Sequence, residues 1–302
     1  MLRLSAALVI LLSVATSCGA DGEPPTRLPA TPRVVAMGDW HGDLAAARRA
    51  LRLAGAVDDR DCWIGGDLVV VQTGDVLDRG DHEQAILDLL DRLAVEAAAQ
   101  GGAVHALLGN HELLNVVGDF RYVSASGWSD FADAGIVVDP SDTALARLPA
   151  EQRARAAAFR PGGHYARRLA GRNVAVIIGR DLFVHGGILP EHVAYGLERL
   201  NRETRAWLRG DGPAPAILSL KDNPVWARQY SDAPDSSDCA ALATVLAALD
   251  CDRLFVGHTI QAAGITPACD ARVWCLDTGA AAHYGGPVQV LEITADEVTV
   301  RW

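Results

Sequence analysis

Asp39, His41, Asp75, Asn110, His111, His185 and His258 share one setting: each lies just past an apolar run, in a short loop that carries glycine. Carboxylate, imidazole and amide oxygen together suit a borderline-to-hard divalent cation such as Mn, Fe or Zn. Seven such residues exceed what one cation needs. Two cations bridged by one carboxylate accommodate them, the arrangement of two-metal hydrolysis with ions about 3.5–4 Å apart. Asp78 and Arg79 follow Asp75 within the segment Gly74-Asp75-Val76-Leu77-Asp78-Arg79-Gly80. There Asp78 can orient a base and Arg79 can hold an oxyanion. Taken alone, that segment reads equally well as an acidic turn with a surface ion pair, and a lone His is usually a core or surface histidine. Recurrence in successive glycine loops is what points to a metal site.

The elements that must position these residues are strands ending in loops. Arg33 to Met37 reads as a strand running into Gly38-Asp39-Trp40-His41-Gly42-Asp43. Asp and His at i and i+2 past a strand point the same way and reach one ion. A helix over Ala45 to Ala54 follows, with Asp43 as its cap. The layout repeats with a strand over Leu68 to Thr73 and a helix over Glu83 to Ala99, whose Ile86, Leu87, Leu90, Leu93, Ala94 and Ala97 form one apolar face. A third strand, Val104 to Leu108, turns at Gly109-Asn110-His111-Glu112. Buried strands of parallel sheets deliver functional side chains at their carboxyl ends.

Val174 to Ile178 and Leu182 to Val184 read as a hairpin around Gly179-Arg180-Asp181, with His185-Gly186-Gly187 after the second strand. A helix is expected over Glu191 to Leu208, then the aromatic, Pro-opened segment Asn223 to Tyr230 carrying Arg228, then a helix over Ala240 to Ala248. Leu254 to Val256 leads to Gly257-His258-Thr259, and Val273 to Leu276, Val288 to Ile293 and Val298 to Trp302 close the domain as short strands. Between Val116 and Arg172 the pattern reads as an inserted, partly helical cap. Its His164 and Arg167-Arg168 read as a capped turn and a solvated helix face in preference to substrate contacts.

The chain has 302 residues, half of them hydrophobic, and no Ser/Gly/Pro-rich linker divides it, so one large domain is expected. A formal net charge of −11 argues against a nucleic-acid or anionic-membrane partner. It also requires bound cations to reverse the field locally if the substrate is a phosphate. Residues 1–18 read as a secretory signal: one Arg (Arg3), an apolar run from Leu4 to Val14, then Ala15-Thr16-Ser17-Cys18, which resembles a bacterial lipoprotein cleavage box. Export to the periplasm or cell envelope is therefore expected, with Cys18 as a site for lipid attachment to the membrane and residues 19–32 as a tether. Of the remaining cysteines, Cys239 with Cys251 and Cys269 with Cys275 are close in sequence, but spacing does not decide connectivity.

Gly38-Asp39-Trp40-His41-Gly42, Gly74 to Gly80, Gly109-Asn110-His111-Glu112, His185-Gly186-Gly187 and Gly257-His258 match, in order, the motifs of calcineurin-like metallophosphoesterases. The Asp-Arg-Gly ending of the second motif and the paired glycines after His185 resemble the phosphoprotein phosphatase branch. Asn223 to Tyr230 is similar to the corresponding segment of its bacterial Shewanella-like members. The resemblance covers residues 33–302, apart from the insert around 116–172. It implies an α/β fold of two mixed β-sheets packed as a sandwich and flanked by helices. It further implies Asp39, His41 and Asp75 at one metal, Asp75 bridging, and Asn110, His185 and His258 at the second. His111 becomes the general acid, oriented by Asp78, and Arg79, Arg228 and Asn110 meet the substrate phosphate. Tyr284 lies where the eukaryotic members carry a Tyr-containing loop.

Chemistry supports the same assignment. A water shared by two cations ionises near neutral pH and supplies a nucleophile without Ser or Cys. Cations and arginines neutralise the equatorial phosphate oxygens, and a His with an Asp partner protonates the leaving group. The expected activity is a phosphomonoesterase acting on phosphoprotein Ser/Thr or Tyr. The alternatives are a dinucleoside polyphosphate hydrolase and a catalytically idle metal-binding surface module.

Overall fold

The computed structural model describes residues 23–132, 136, 138, 139 and 141–302. The signal and lipidation expectations, Cys18 included, lie outside them. Among the described residues eleven strands run in chain order: β1 (Arg27–Leu28), β2 (Arg33–Met37), β3 (Val69–Gln72), β4 (Ala103–Ala106), β5 (Ala175–Ile178), β6 (Asp181–Val184), β7 (Arg253–Val256), β8 (Thr266–Ala268), β9 (Val273–Cys275), β10 (Val290–Thr294) and β11 (Val298–Arg301). They form a five-stranded sheet of order β11-β10-β2-β3-β4 and a six-stranded sheet of order β1-β5-β6-β7-β9-β8.

The central strands β2, β3, β5, β6 and β7 are buried on both faces, which is why they read as nearly continuous apolar runs instead of alternating ones. Val34, Ala36, Val69 and Val71 face Val176, Ile178, Phe183 and Phe255 across the space between the sheets. Alternate residues Val35, Met37 and Val70 turn outward to helices α1 (Leu44–Leu53) and α2 (Glu83–Ala98). On the other side Ala175, Ile177, Leu182 and Val184 pack under the later helix Ser236–Ala248. The two-sheet sandwich flanked by helices is therefore the fold anticipated from the resemblance.

Helix α3 (Asn110–Val117) begins at the third motif, and Asp43 caps α1 by accepting from the Ala46 N–H at 2.9 Å. The insert contributes α4 (Gly127–Asp130), α5 (Thr143–Ala146), α6 (Ala150–Phe159) and α7 (His164–Leu169). The single helix expected over Glu191 to Leu208 is two, α8 (Pro190–Tyr195) and α9 (Leu197–Arg209), because Gly196 takes a φ of 92° that breaks the helical path. Helix α10 (Ser236–Ala248) starts four residues earlier than expected, at an Asp235 cap.

One further expectation is corrected, and the cysteine pairing that spacing left open is resolved. The segment read as a tether is built into the domain from Glu23: β1 pairs in parallel with β5, Thr26 is buried, and Glu23 bonds Arg205 and Arg209 at 3.1 and 2.7 Å. An exposed, proline-rich composition hid this because the partners lie about 150 residues away in sequence. Among the described residues the cystine is Cys239–Cys269, tying α10 to the turn after β8, and neither sequence-close pair forms. Cys251 and Cys275 are buried thiols, and Cys62 is exposed. Among the described residues no helix is long and apolar enough to cross a membrane.

Candidate metal centre and active site

Strands β2, β3 and β4 run parallel in one sheet, and β6, β7 and β9 in the other. Their carboxyl ends therefore open at one rim, where six loops meet. Non-glycine residues rarely adopt positive φ, yet His41, Asp75, Asp78, Arg79 and His258 all do, at 40°, 56°, 68°, 69° and 66°. Such strain persists where surrounding structure over-determines the conformation, typically at functional sites. The motif glycines make the approach possible. A Cβ at Gly109 would stand 2.1 Å from Asp75 Oδ1, and one at Gly257 would stand 2.4 Å from Asp39 Oδ1.

Asp75 is the common member of two ligand groups, His41/Asp75/His111 and Asp75/His185/His258, each with its donor atoms within 4.8 Å of one another. Its Oδ2 lies 3.2 Å from His185 Nε2 and 3.8 Å from both His41 Nε2 and His111 Nε2. Asp39 closes the site from below, 3.9 Å from His41 Nε2 and accepting from the His258 backbone N–H at 3.2 Å. Asn110 Oδ1 reaches His185 Nε2 at 2.8 Å. All of these residues are buried.

The donor set fits cations. His41 Nδ1 donates to the Leu77 carbonyl and His185 Nδ1 to the Thr73 carbonyl, each at 3.0 Å, so each ring aims the lone pair of Nε2 into the site. At His185 three lone pairs, from its Nε2, Asn110 Oδ1 and Asp75 Oδ2, then converge on one point, which is favourable only around positive charge. His258 Nε2 is buried with no hydrogen-bond partner. Burial holds the His41 imidazole down to about 4 and that of His258 down to about 2, so both are neutral ligands at ordinary pH. Burial first, then Asp277 and Asp75, pushes the Asp39 carboxyl well above the usual range. A cluster of carboxylates this deep needs cations for company.

His111 is set differently. Its Nδ1 faces a carboxylate, Asp78 Oδ2, at 2.6 Å, where the other two rings face carbonyls. Burial alone would lower its pKa, but Asp75 and Asp78 outweigh that and raise it above the ordinary 6.5. Its Nε2 looks toward a cavity of about 490 Å³ that Arg79, Arg228, Tyr122, Trp226 and Tyr284 also line. The Arg79 guanidinium sits between the rings of Tyr122 and Tyr284, 4.8 and 5.0 Å from their centres, and its Nε has no protein partner. Arg228 is steadied by the His258 carbonyl at 3.1 Å and Thr259 Oγ1 at 3.0 Å.

The residues named from sequence as metal ligands, acid and phosphate contacts thus gather at one rim. His164, Arg167 and Arg168 do not: His164 is exposed at the start of α7, Arg167 bonds the Gly162 carbonyl, and Arg168 pairs with Asp88 and Asp91 on α2. Sequence reasoning overlooked three buried residues. Asp277, past β9, lies beside Asp39, and its own Asp-Thr-Gly ending after a strand is the same signal as the other loops. Glu112 accepts from the backbone N–H groups of Asp75, Val76, Leu77 and Gly109 at 2.7–3.2 Å, knitting the second and third motifs together. Arg155 reaches Asp78 from the insert, with no local signal.

Comparison with known proteins agrees with this geometry. The family model for calcineurin-like phosphoesterases matches residues 32–262. The chain is 39% identical to Shewanella-like protein phosphatase 2 of Arabidopsis thaliana, over 90% of this chain and 77% of the relative. It is 28% identical to Shewanella-like protein phosphatase 1 of Plasmodium berghei, over 84% of this chain and 69% of the relative. Among solved structures it superposes on the cold-active protein-tyrosine phosphatase of a psychrophilic Shewanella with a TM-score of 0.72, at 24% identity, over 92% of this chain and 80% of that one. At that identity the likeness speaks for the fold. A match across most of the chain, together with the shared-carboxylate ligand set at the loop rim, places this chain in the calcineurin-like phosphoesterase family.

Proposed function

We propose that the chain is a metal-dependent phosphomonoesterase that acts on phosphorylated proteins through a dinuclear centre. The observation that carries the reading is Asp75, shared between two groups of buried ligands beneath a cavity walled by two arginines. Asp39, His41 and Asp75 would hold one divalent cation, and Asp75, Asn110, His185 and His258 the other; Mn, Fe and Zn all suit these donors. When bound, such cations supply an activated water and neutralise charge on the phosphate.

The chain's own residues do the rest. Arg79, pre-oriented by its two tyrosines, and Arg228 grip non-bridging phosphate oxygens, with Asn110 beside them. His111 gives its Nε2 proton to the departing oxygen, while Asp78 holds the Nδ1–H and so keeps the ring facing the cavity. The aromatic walls formed by Tyr122, Trp226 and Tyr284 suit an aryl phosphate such as phosphotyrosine, in keeping with the name of the Shewanella structure. Export remains part of the proposal. The Cys239–Cys269 cystine fits an oxidising compartment, where such bonds persist.

The test is a substrate panel with metal analysis. Purified protein supplied with Mn should hydrolyse p-nitrophenyl phosphate and phosphotyrosine peptides. Turnover of diadenosine tetraphosphate in preference to phosphopeptides would replace this reading with polyphosphate hydrolysis. Metal binding with no turnover on any phosphoester would leave a metal-binding module.

A further inference from the structure

Arg155 is a fully buried arginine on α6, in the inserted segment, and it does not border the cavity. Its guanidinium spends its donors on three side chains. Nε donates to Asn115 Oδ1 at 2.6 Å, and one terminal nitrogen donates to Asp78 Oδ1 at 3.1 Å and to Glu83 Oε1 at 2.7 Å. The other terminal nitrogen meets Glu83 Oε2 and, at 3.3 Å, the Gly127 carbonyl. Phe131 and Phe159 pack on the guanidinium, 4.9 and 5.4 Å from ring centre to its carbon.

These bonds fix Asp78 on the side away from the imidazole. Asp78 Oδ1 receives Arg155 and Asn115 Nδ2, at 3.1 and 2.9 Å, and Oδ2 is left for His111 Nδ1 at 2.6 Å. Asn115 is itself oriented by Arg155: with Oδ1 taken by the guanidinium, its amide nitrogen must face Asp78 Oδ1 and the His111 carbonyl. Glu83, which also accepts from the Asp78 backbone N–H, is held by the same fork. A planar, five-donor group is needed to serve all three partners at once.

We propose that Arg155 is a positioning residue, through which the insert sets the Asp78–His111 pair and thereby governs proton delivery to the leaving group. The inference rests on the reading of His111 as the acid. Arg155 touches neither the metal ligands' donor atoms nor the phosphate-binding arginines, so its effect is confined to the leaving-group side.

The experiment compares phenyl phosphate, whose leaving oxygen needs a proton, with p-nitrophenyl phosphate, whose leaving group departs without one. Arg155→Lys keeps the buried carboxylates paired but cannot reproduce the fork. It should lower kcat on phenyl phosphate by about tenfold or more, the scale of lost outer-shell partners. On p-nitrophenyl phosphate kcat should change little, and KM and metal content should stay at parent values. In a His111→Asn background the same substitution should have no further effect, since residues acting as one unit are not additive. Where Arg155→Lys fails to fold, Arg155→Met with Glu83→Gln removes both charges and is read the same way.

Equal loss on both substrates, or full additivity with His111→Asn, would reduce Arg155 to a packing residue and overturn the proposal. Should His111→Asn itself show no preference between the two substrates, the acid assignment fails instead, and that failure is visible without any Arg155 variant.

Discussion

His111 Nδ1 lies 2.6 Å from Asp78 Oδ2, while His41 and His185 turn the same ring atom to backbone carbonyls at 3.0 Å. A carbonyl partner fixes a neutral imidazole as a ligand. A carboxylate partner instead favours the protonated ring, which suits a proton donor. The contrast separates one histidine from its neighbours within a site where all of them point at Asp75.

His111→Asn should therefore lower turnover of phenyl phosphate about a hundredfold or more, in the range general acids contribute. Metal content, read by elemental analysis, should be retained. Loss of metal with the variant would move His111 from the acid to the ligand set, which its distance of 3.8 Å from Asp75 Oδ2 makes a real alternative.

The pH profile gives a second reading of the same pair. Asp75 and Asp78 overcome burial and raise the His111 pKa above 6.5, so the acid is protonated below that pKa and lost as pH climbs through it. In the metal-free protein the His111 imidazole should accordingly titrate above pH 6.5, read by NMR. Asp78→Asn removes a carboxylate that holds the proton, and the titration should move to lower pH. An unmoved titration would separate Asp78 from the titrating group.

Asp75→Asn should cost both metal and activity, because its carboxylate belongs to both ligand groups. Elemental analysis of the purified variant decides it: parent-level metal content would contradict a bridging role.

Arg79→Ala should reduce kcat/KM on p-nitrophenyl phosphate by about a hundredfold, comparable to removing one oxyanion donor. Arg79→Lys should restore little, since a compact, strongly hydrated ammonium does not reproduce the guanidinium's packing on the rings of Tyr122 and Tyr284. Full rescue by lysine would mean that only the charge matters.

Replacing Cys239 and Cys269 together by serine should lower stability by about 3.6 kcal/mol, the loop-closure value for a cross-link of this span. The separation is 30 residues, and neither cysteine borders the cavity, so activity at low temperature should persist while the melting temperature drops. Unchanged melting would show that the pair is not bonded in solution.

The strand-end glycine loops, and with them Asp39, His41, Asp75, Asn110, His111, His185 and His258, were readable from residue order alone. A buried parallel strand followed by Gly and a ligand is a local pattern, and each motif fits within a few residues. What chain order does not carry is which loops close on one another. Only the approach of the two sheets put Asp277 beside Asp39, set Tyr284 and Tyr122 on either side of Arg79, and linked Cys239 to Cys269 across the sequence-closer partners. Arg155 is the clearest case. Amid the alanines and arginines of α6 it has the composition of a solvated helix, and its meaning comes from partners 72 and 77 residues away, Glu83 and Asp78, reached only after the insert folds back over α2 and α3. Local chemistry is written in neighbours along the chain; a buried charge is defined by whatever the packed chain brings within hydrogen-bond reach.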